Sequence, residues 1–271
     1  MKLSIIIVNY NTGPLTAACI RSILAQDVVG GLEIIVVDNA SADESVAHLR
    51  SDFPEVTVIA NGKNVGLAAG VNTGLASTRG KYCLILNPDI LVLPGALVSL
   101  VTYMDAHPTV GVAGGQLQSP NGEVQESCYR FYSPLTLIYR RTFWGKTARG
   151  QREIARFLMK DFDHASIRAV DWLLGACLIV RREAVQEVGG MDERFFLYFE
   201  DVDWCRRFLE AGWQVMYVPA ARFSHFYQRS SEGGILSVLS HRVGREHLKS
   251  AVKYFWKNRG RSLPTAAAPL P

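Results

Sequence analysis

The sequence predicts an α/β fold built on a mostly parallel central sheet, and three observations carry that expectation. Short apolar runs of strand length alternate with segments of helical periodicity, at a spacing that suits right-handed crossovers. One run, Tyr82 to Leu86, is near-continuously apolar, as a strand buried on both faces must be. Four successive candidate strands also end in asparagine or aspartate, which gathers polar groups along the edge where open α/β sheets bind ligands.

Strand one spans Leu3 to Val8 and runs into Asn9-Tyr10-Asn11. Pro14 to about Gln26 reads as a helix, with Leu15, Ala18, Cys19, Ser22 and Ile23 on one face. Leu32 to Val37 is strand two, ending at Asp38-Asn39, and the next helix starts near Asp43 with Ser41 as its cap. Val56 to Ala60 is strand three, ending near Asn61 and Asn64. In the helix that follows, Gly66, Gly70 and Gly74 stand four apart on one face, which admits close approach of either the sheet or a ligand. The Tyr82 strand stops at Asn87-Pro88-Asp89, because proline cannot continue a central ladder. Asp89 is then either part of a good turn or an oxygen ligand for a hard divalent cation.

Pro94 to Asp105 reads as a helix and Val110 to Leu117 as a strand. From residue 130 to 169 the pattern dissolves into aromatic and basic residues, among them Tyr132, Arg140, Arg141, Phe143 and Trp144, and is expected to be a variable, partly mobile region. Val170 to Val180 reads as one buried strand with Gly175 in its middle, where close approach of a ligand is expected. Helices over Arg182 to Val188 and Asp201 to Ala211 follow, then a last short strand from Gln214 to Val218. Glu200, Asp201 and Asp203 cluster at a helix start, where acids either complement the dipole or supply a general base with a raised pKa.

The chain's 271 residues suffice for one large domain, and 48% hydrophobic with 20% charged residues is globular composition. Five cysteines, an odd number without close pairs or zinc spacing, suit buried thiols in a reducing compartment. The amino terminus lacks a signal-peptide pattern and no apolar stretch is long enough to span a bilayer, so a cytoplasmic protein is expected. Gly74 to Lys81 falls short of a P-loop, with five residues between the glycines and Tyr82 where Ser or Thr is needed. No glycine-rich turn follows strand one, which argues against a dinucleotide enzyme. Ile235 to Leu263 carries seven basic residues against one acid, with Leu239, Val243, Leu248, Val252, Phe255 and Trp256 broadly opposite. Such a segment suits an anionic membrane surface, or a helix packed on the domain with a solvated basic face. Nucleic acid as a partner would rest on this basic segment alone and is not expected.

Taken together, Val8-Asn9-Tyr10-Asn11, Val36-Val37-Asp38-Asn39-Ala40-Ser41, Asn64 to Asn72, Leu86-Asn87-Pro88-Asp89, Gly175-Ala176 and Phe199-Glu200-Asp201-Val202-Asp203 resemble glycosyltransferase family 2, particularly its rhamnosyltransferase-like branch, over about residues 1–231. The resemblance implies a GT-A fold in one continuous domain, with a nucleotide-sugar-binding half over 1–118 and an acceptor-binding, catalytic half over 119–231. The basic segment, 232–263, and a disordered tail, 264–271, would follow. It implies inverting transfer of a sugar, rhamnose from dTDP-rhamnose first and a UDP-sugar second, to a glycan or lipid-linked acceptor in cell-surface polysaccharide assembly. By position, Asn9, Tyr10, Asn11, Asp38 and Asn39 would meet the base and ribose, where an Asp carboxylate can accept the N3–H of uracil or thymine. Asn64, Gly66, Asn72 and Asn87 would line the nucleoside and diphosphate. Trp172, Gly175 and Glu200 would face the sugars, and Asp201 would be the general base. Asp89 and His225 would hold Mg²⁺ or Mn²⁺, with Arg229 a candidate phosphate clamp. Asn87 departs from the commoner Asp-x-Asp form, and an amide is a weaker metal ligand than a carboxylate. A sugar-phosphate nucleotidyltransferase would show a Gly- and Arg-rich loop that Asn9 to Pro14 lacks. A nucleotide-sugar-binding protein without catalysis would not need both Asp89 and Asp201.

Overall fold

A computed structural model describes residues 2–226, 242–264 and 266. Its first half is a run of crossovers: β1 (Leu3–Asn9), α1 (Gly13–Leu24), β2 (Leu32–Asp38), α2 (Ser45–Asp52), β3 (Thr57–Ala60), α3 (Leu67–Ser77) and β4 (Tyr82–Leu86). The strands are parallel in the order β3-β2-β1-β4. Register sets Asn9 opposite Asp38 and Ile7 opposite Leu86, so the polar carboxyl ends fall on one edge. All of β4 is buried, as its apolar run requires. The glycines of α3 serve close packing on the sheet. A Cβ at Gly70 would stand 2.9 Å from Val8, and one at Gly74 would stand 2.5 Å from Ile6.

The chain continues through β5 (Ile90–Val92), α4 (Ala96–Ala106), β6 (Val110–Gln118), β7 (Cys128–Tyr129), α5 (Pro134–Arg141), a 3₁₀ turn (Phe143–Lys146), α6 (Ala148–Phe157), β8 (Arg168–Ala169) and β9 (Trp172–Leu173). Then come β10 (Cys177–Arg181), α7 (Arg182–Val188), α8 (Glu200–Glu210), β11 (Gln214–His225) and α9 (Arg242–Lys257). The main sheet extends as β4-β10-β6-β11-β5, with β8 also on β11, and β7 pairs β9 separately. All five cysteines are buried free thiols. No helix among the described residues is long and apolar enough to cross a membrane.

Several sequence expectations need correction. The 130–169 region is ordered structure: a Ser133–Thr136 capping box opens α5, and the Thr147 hydroxyl accepts from Gly150 N–H at the start of α6. Its aromatics close a stack in which Tyr129 lies 4.4 Å from Trp172 and 5.2 Å from Phe157, ring centre to ring centre. Threonine at the third helical position hid the box, since the usual sequence signature is Glu or Gln. The expected strand from Val170 to Val180 is two strands in different sheets, broken at Leu174–Ala176. β11 does not end at Val218. It passes a register shift before Arg222 and runs on to His225, paired with a β5 too short to show in the sequence. Ser41 does not cap α2, which starts at Ser45 without a side-chain cap.

Of the basic segment, residues 235–241, including Leu239, lie outside the described residues, as does Arg229. α9 docks through Ser250, Ala251, Tyr254 and Asn258, which are buried, and through Lys257, which pairs with Asp203 at 2.6 Å and Asp192 at 2.7 Å. Its outer face interleaves apolar and basic side chains. Leu248, Val252 and Trp256 are 46%, 62% and 64% exposed among Arg245, Lys249, Lys253 and Arg259. The apolar face expected to be shared with Phe255 is thus split, with Phe255 packed on the core and the other three turned to solvent. The tail is not wholly disordered, because Ala266 packs against the core.

Candidate active site

At the carboxyl ends of β1 and β2, the side chains form a closed hydrogen-bonded network. Asn9 is fully buried; its Nδ2 donates to Asp38 Oδ2 at 2.7 Å, and its Oδ1 accepts from the Thr12 and Thr16 hydroxyls. Both ends of the amide are used within the protein, so Asn9 holds Asp38 in place rather than meeting a base itself. Ser41 N–H donates to Asp38 Oδ1 at 2.9 Å and its hydroxyl donates to Oδ2 at 2.6 Å. Those bonds leave one acceptor position on Oδ1. Tyr10 is half exposed, and Asn11 Oδ1 accepts from Ala42 N–H at 2.7 Å, so the β1–α1 and β2–α2 loops lean on each other. Asn39 is buried between the Asn61 amide and the Gly66 carbonyl.

Asn64 Oδ1 accepts from Gly66 N–H at 3.0 Å. Gly66 has φ +87° and a Cβ there would meet the Phe196 carbonyl at 2.5 Å, so only glycine fits. Asn72 is a correction. Its Nδ2 donates to Met191 O and its Oδ1 accepts from Met191 N–H, both at 2.8 Å. This amide clips α3 to the loop before α8 and lines a separate cavity of about 340 Å³.

Asp89 and His225 meet because β5 pairs with the end of β11, which sets Ile90 opposite His225. His225 Nε2 lies 3.6 Å from Asp89 Oδ2, beyond hydrogen-bonding range. Asp89 Oδ1 is buried with no hydrogen-bond partner among the described residues. Gln125 sets the tautomer of the ring. Its Nε2 donates to the His225 carbonyl at 3.1 Å, which turns its Oε1 toward Nδ1 at 2.9 Å. Only an N–H can meet that oxygen, so in the neutral ring Nδ1 carries the proton and Nε2 aims its lone pair at Asp89. Burial pushes the Asp89 carboxyl upward, against the pull of His225, and burial lowers the His225 pKa. An orphaned carboxylate oxygen beside an imidazole lone pair fits a divalent cation, and mixed O and N donors suit Mn²⁺ better than Mg²⁺. Among the described residues no three His, Cys, Asp or Glu side chains are arranged to hold a metal ion together, so a cation here would take further ligands from what binds beside it.

The β9–β10 break is the junction of the site. Gly175 N–H donates to Asp201 Oδ2 at 2.9 Å, and the next residue's carbonyl, Ala176 O, accepts from Asn87 N–H at 2.9 Å. One loop therefore holds both Asp201 and the turn carrying Asp89. Asn87 is half-buried and meets this loop through its backbone. A Cβ at 175 would stand 3.2 Å from the Asp201 side chain, close enough that the carboxylate would have to shift by a few tenths of an ångström. Tyr198 and Phe199 both have φ +67°, a left-handed pair without glycine immediately before Glu200 and Asp201. Such strain persists only where the surroundings enforce it.

The three acids have separate duties. Asp203 is structural, paired with Arg207 at 2.9 Å and with Lys257. Glu200 is buried with Oε2 unpartnered among the described residues, and burial followed by the Asp201 charge pushes its pKa well up. Burial raises Asp201 to about 6, opposed by the N–H groups of Gly175 and Val202. Asp201 and Trp172 line a cavity of about 960 Å³ shared with Gln125, Tyr132, Arg140, Arg141 and His247. Of these, the sequence reading assigned roles only to Asp201 and Trp172. The aromatic and basic composition of 130–169 was the available signal for Tyr132, Arg140 and Arg141, whereas nothing local marks Gln125.

Residues 4–189 match the family model Glycosyl transferase family 2. The chain is 29% identical over 248 residues to an N-acetylglucosaminyl-diphospho-decaprenol L-rhamnosyltransferase of Mycobacterium tuberculosis, covering 84% of this chain and 77% of that protein. It is 33% identical over 180 residues to Rhamnosyltransferase WbbL of Escherichia coli strain K12, covering 66% and 62%. A solved structure of mannosyltransferase PcManGT from Pyrobaculum calidifontis, in complex with GDP-Man and Mn²⁺, matches with a TM-score of 0.62 at 19% identity. That match covers 99% of this chain and 66% of the other, and it bears out the GT-A fold. With a family match over more than half of its length, the chain belongs to glycosyl transferase family 2, on the rhamnosyltransferase-like side of that family, and is a glycosyltransferase.

Proposed function

We propose that the protein is an inverting transferase that moves a sugar, rhamnose from dTDP-rhamnose, onto a hydroxyl of a lipid-linked glycan acceptor in cell-surface polysaccharide assembly. The observation that carries this reading is the Gly175-Ala176 junction, which ties a raised, deprotonable carboxylate to the Asp89 turn. Asp201 takes the proton from the acceptor hydroxyl as that oxygen bonds to the anomeric carbon. The bond from that carbon to the diphosphate oxygen breaks on the opposite face, and the diphosphate leaves toward Asp89 and His225. Glu200, kept protonated by burial and by its neighbour's charge, leaves Asp201 as the charged member of the pair. A divalent cation held by Asp89 and His225 would neutralise charge on the leaving diphosphate. Asp38 can accept the N3–H of thymine or uracil alike, which keeps UDP-sugars as the second donor class. The rhamnosyltransferase relatives favour rhamnose as the sugar moved.

Calorimetric titration with dTDP, UDP and GDP, each with and without Mn²⁺, tests the donor side. The expected result is Mn²⁺-dependent binding with dTDP ahead of UDP, and folded protein that binds none of the three would sink the proposal. In the same titration, Gln125→Leu weakens Mn²⁺ affinity by about 10–100-fold, because the histidine loses the partner that orients it.

The outer face of α9 supports contact with an anionic membrane, where apolar side chains enter the interface and the basic ones meet headgroups. Vesicles containing phosphatidylglycerol should pull the protein down in sedimentation, and a Val252→Glu/Trp256→Glu variant should stay in the supernatant. Equal sedimentation of both would dismiss this face.

A further inference from the structure

Arg140 and Arg141 are consecutive at the carboxyl end of α5, and both line the cavity that contains Asp201. α5 carries no acid, and the contacts of Arg140 are the Tyr132 hydroxyl at 3.4 Å and the Phe157 ring at 4.9 Å. The positive field of the pair reaches across the cavity. Burial and then Arg141 and Arg140 drive His247 of α9 down to about 4, and burial with the Arg140 charge lowers Arg141 itself. Four acids line the same cavity: Glu126 is paired with Lys160, Asp201 is held by backbone N–H groups, Asp163 accepts from Ala165 N–H, and Glu123 is the fourth. Adjacent guanidiniums that repel each other are relieved by a polyanion whose oxygens they can share in forked hydrogen bonds.

Apolar surface begins immediately beyond the charged lining. Phe143 and Trp144 follow Arg141 in the 3₁₀ turn, are 71% and 54% exposed, and stack on each other at 5.0 Å. Leu248 follows His247 and opens the exposed row of α9. The cavity lining thus holds a carboxylate and a basic pair, and the chain leads from Arg141 and from His247 directly into exposed aromatic and aliphatic side chains. An amphiphile with a sugar, a diphosphate and a hydrocarbon chain has the complementary groups.

We propose that Arg140 and Arg141 clamp the diphosphate of the lipid-linked acceptor, so that its sugar reaches Asp201 and its chain leaves over Phe143, Trp144 and Leu248. This rests on the transferase reading of the Asp201 site. A diphosphate also occurs in the donor, whose proposed place is the Asp89 edge, and the test separates the two. Farnesyl diphosphate, farnesol and dTDP are each titrated into the full-length protein and into Arg140→Ala/Arg141→Ala. The wild type binds farnesyl diphosphate at least about tenfold tighter than farnesol. The double variant loses about 10–100-fold of that affinity while its dTDP binding, which also reports folding, is unchanged. Arg140→Lys/Arg141→Lys recovers part of the loss, because lysine keeps the charge without the fork. Farnesyl diphosphate binding equal in wild type and the alanine variant overturns the clamp. So does loss of dTDP binding alongside it in a folded variant, which would return the arginines to the donor. A wild type that binds dTDP but no farnesyl diphosphate overturns the clamp while leaving the transferase reading intact. Binding of neither ligand sinks both.

Discussion

Asp201→Asn lowers kcat by roughly 10²–10⁴-fold and leaves nucleotide affinity intact, because the substitution keeps shape and removes the proton acceptor. The amide oxygen can still accept the Gly175 N–H, so the junction that also holds Asn87 survives, while the Val202 N–H loses its acceptor. A full kcat in this variant would move the base elsewhere, and Asp203 is a poor second candidate because it is paired with Arg207 and Lys257. The pH profile gives a second readout. Asp201 works as its carboxylate, so kcat/KM falls below an apparent pKa of about 6, set by burial against two N–H donors. Glu200→Gln retains that acid limb, since Glu200 is already neutral where Asp201 ionises. The same variant melts higher than wild type at pH 8. A buried carboxyl with a raised folded pKa favours the folded state at low pH, and that stability is lost as pH rises through the window above the ordinary carboxylate range.

Asp203→Ala costs about 3–5 kcal/mol of stability, the cost of leaving a buried ion pair with one partner removed. Asp203 is 1% exposed and is the acid that joins Arg207 of its own helix to Lys257 of α9. Removing it leaves two cations facing each other in a largely buried space. Lys257 keeps Asp192 as a partner, so α9 loosens rather than leaves. Chemical denaturation measures the loss, and hydrogen exchange should show α9 amides deprotected before those of β1 and β4. A loss below about 1 kcal/mol would mean that water reaches the site and screens the pair. Asp203→Leu with Lys257→Met should recover part of the stability, since removing both partners spares an unpaired charge.

These two acids show what a local pattern can and cannot decide. Glu200, Asp201 and Asp203 look equivalent in the sequence, as acids in a first helical turn. All three are buried, and the fates of Asp201 and Asp203 differ through Gly175 and Lys257, neither of which is near in the chain. The same holds for the Asp89–His225 edge. Asp89 was legible as an acid at a strand end, whereas His225 joins it only through β5–β11 pairing, and Gln125 orients His225 from another loop.

The alternation of β1 to β4 with their crossover helices, the burial of β4, the polar carboxyl edge and the family were all legible in the amino-acid pattern. Those features repeat over a few residues, and apolar periodicity and strand-end chemistry record them directly. Long-range packing makes Asn9 and Asn72 braces, breaks a strand at 174–176 to join two acids, and turns Leu248, Val252 and Trp256 of α9 outward. The physical reason is that a polar side chain's role is set by the partner that satisfies it and by its distance from water. Both are properties of segments brought together from far along the chain.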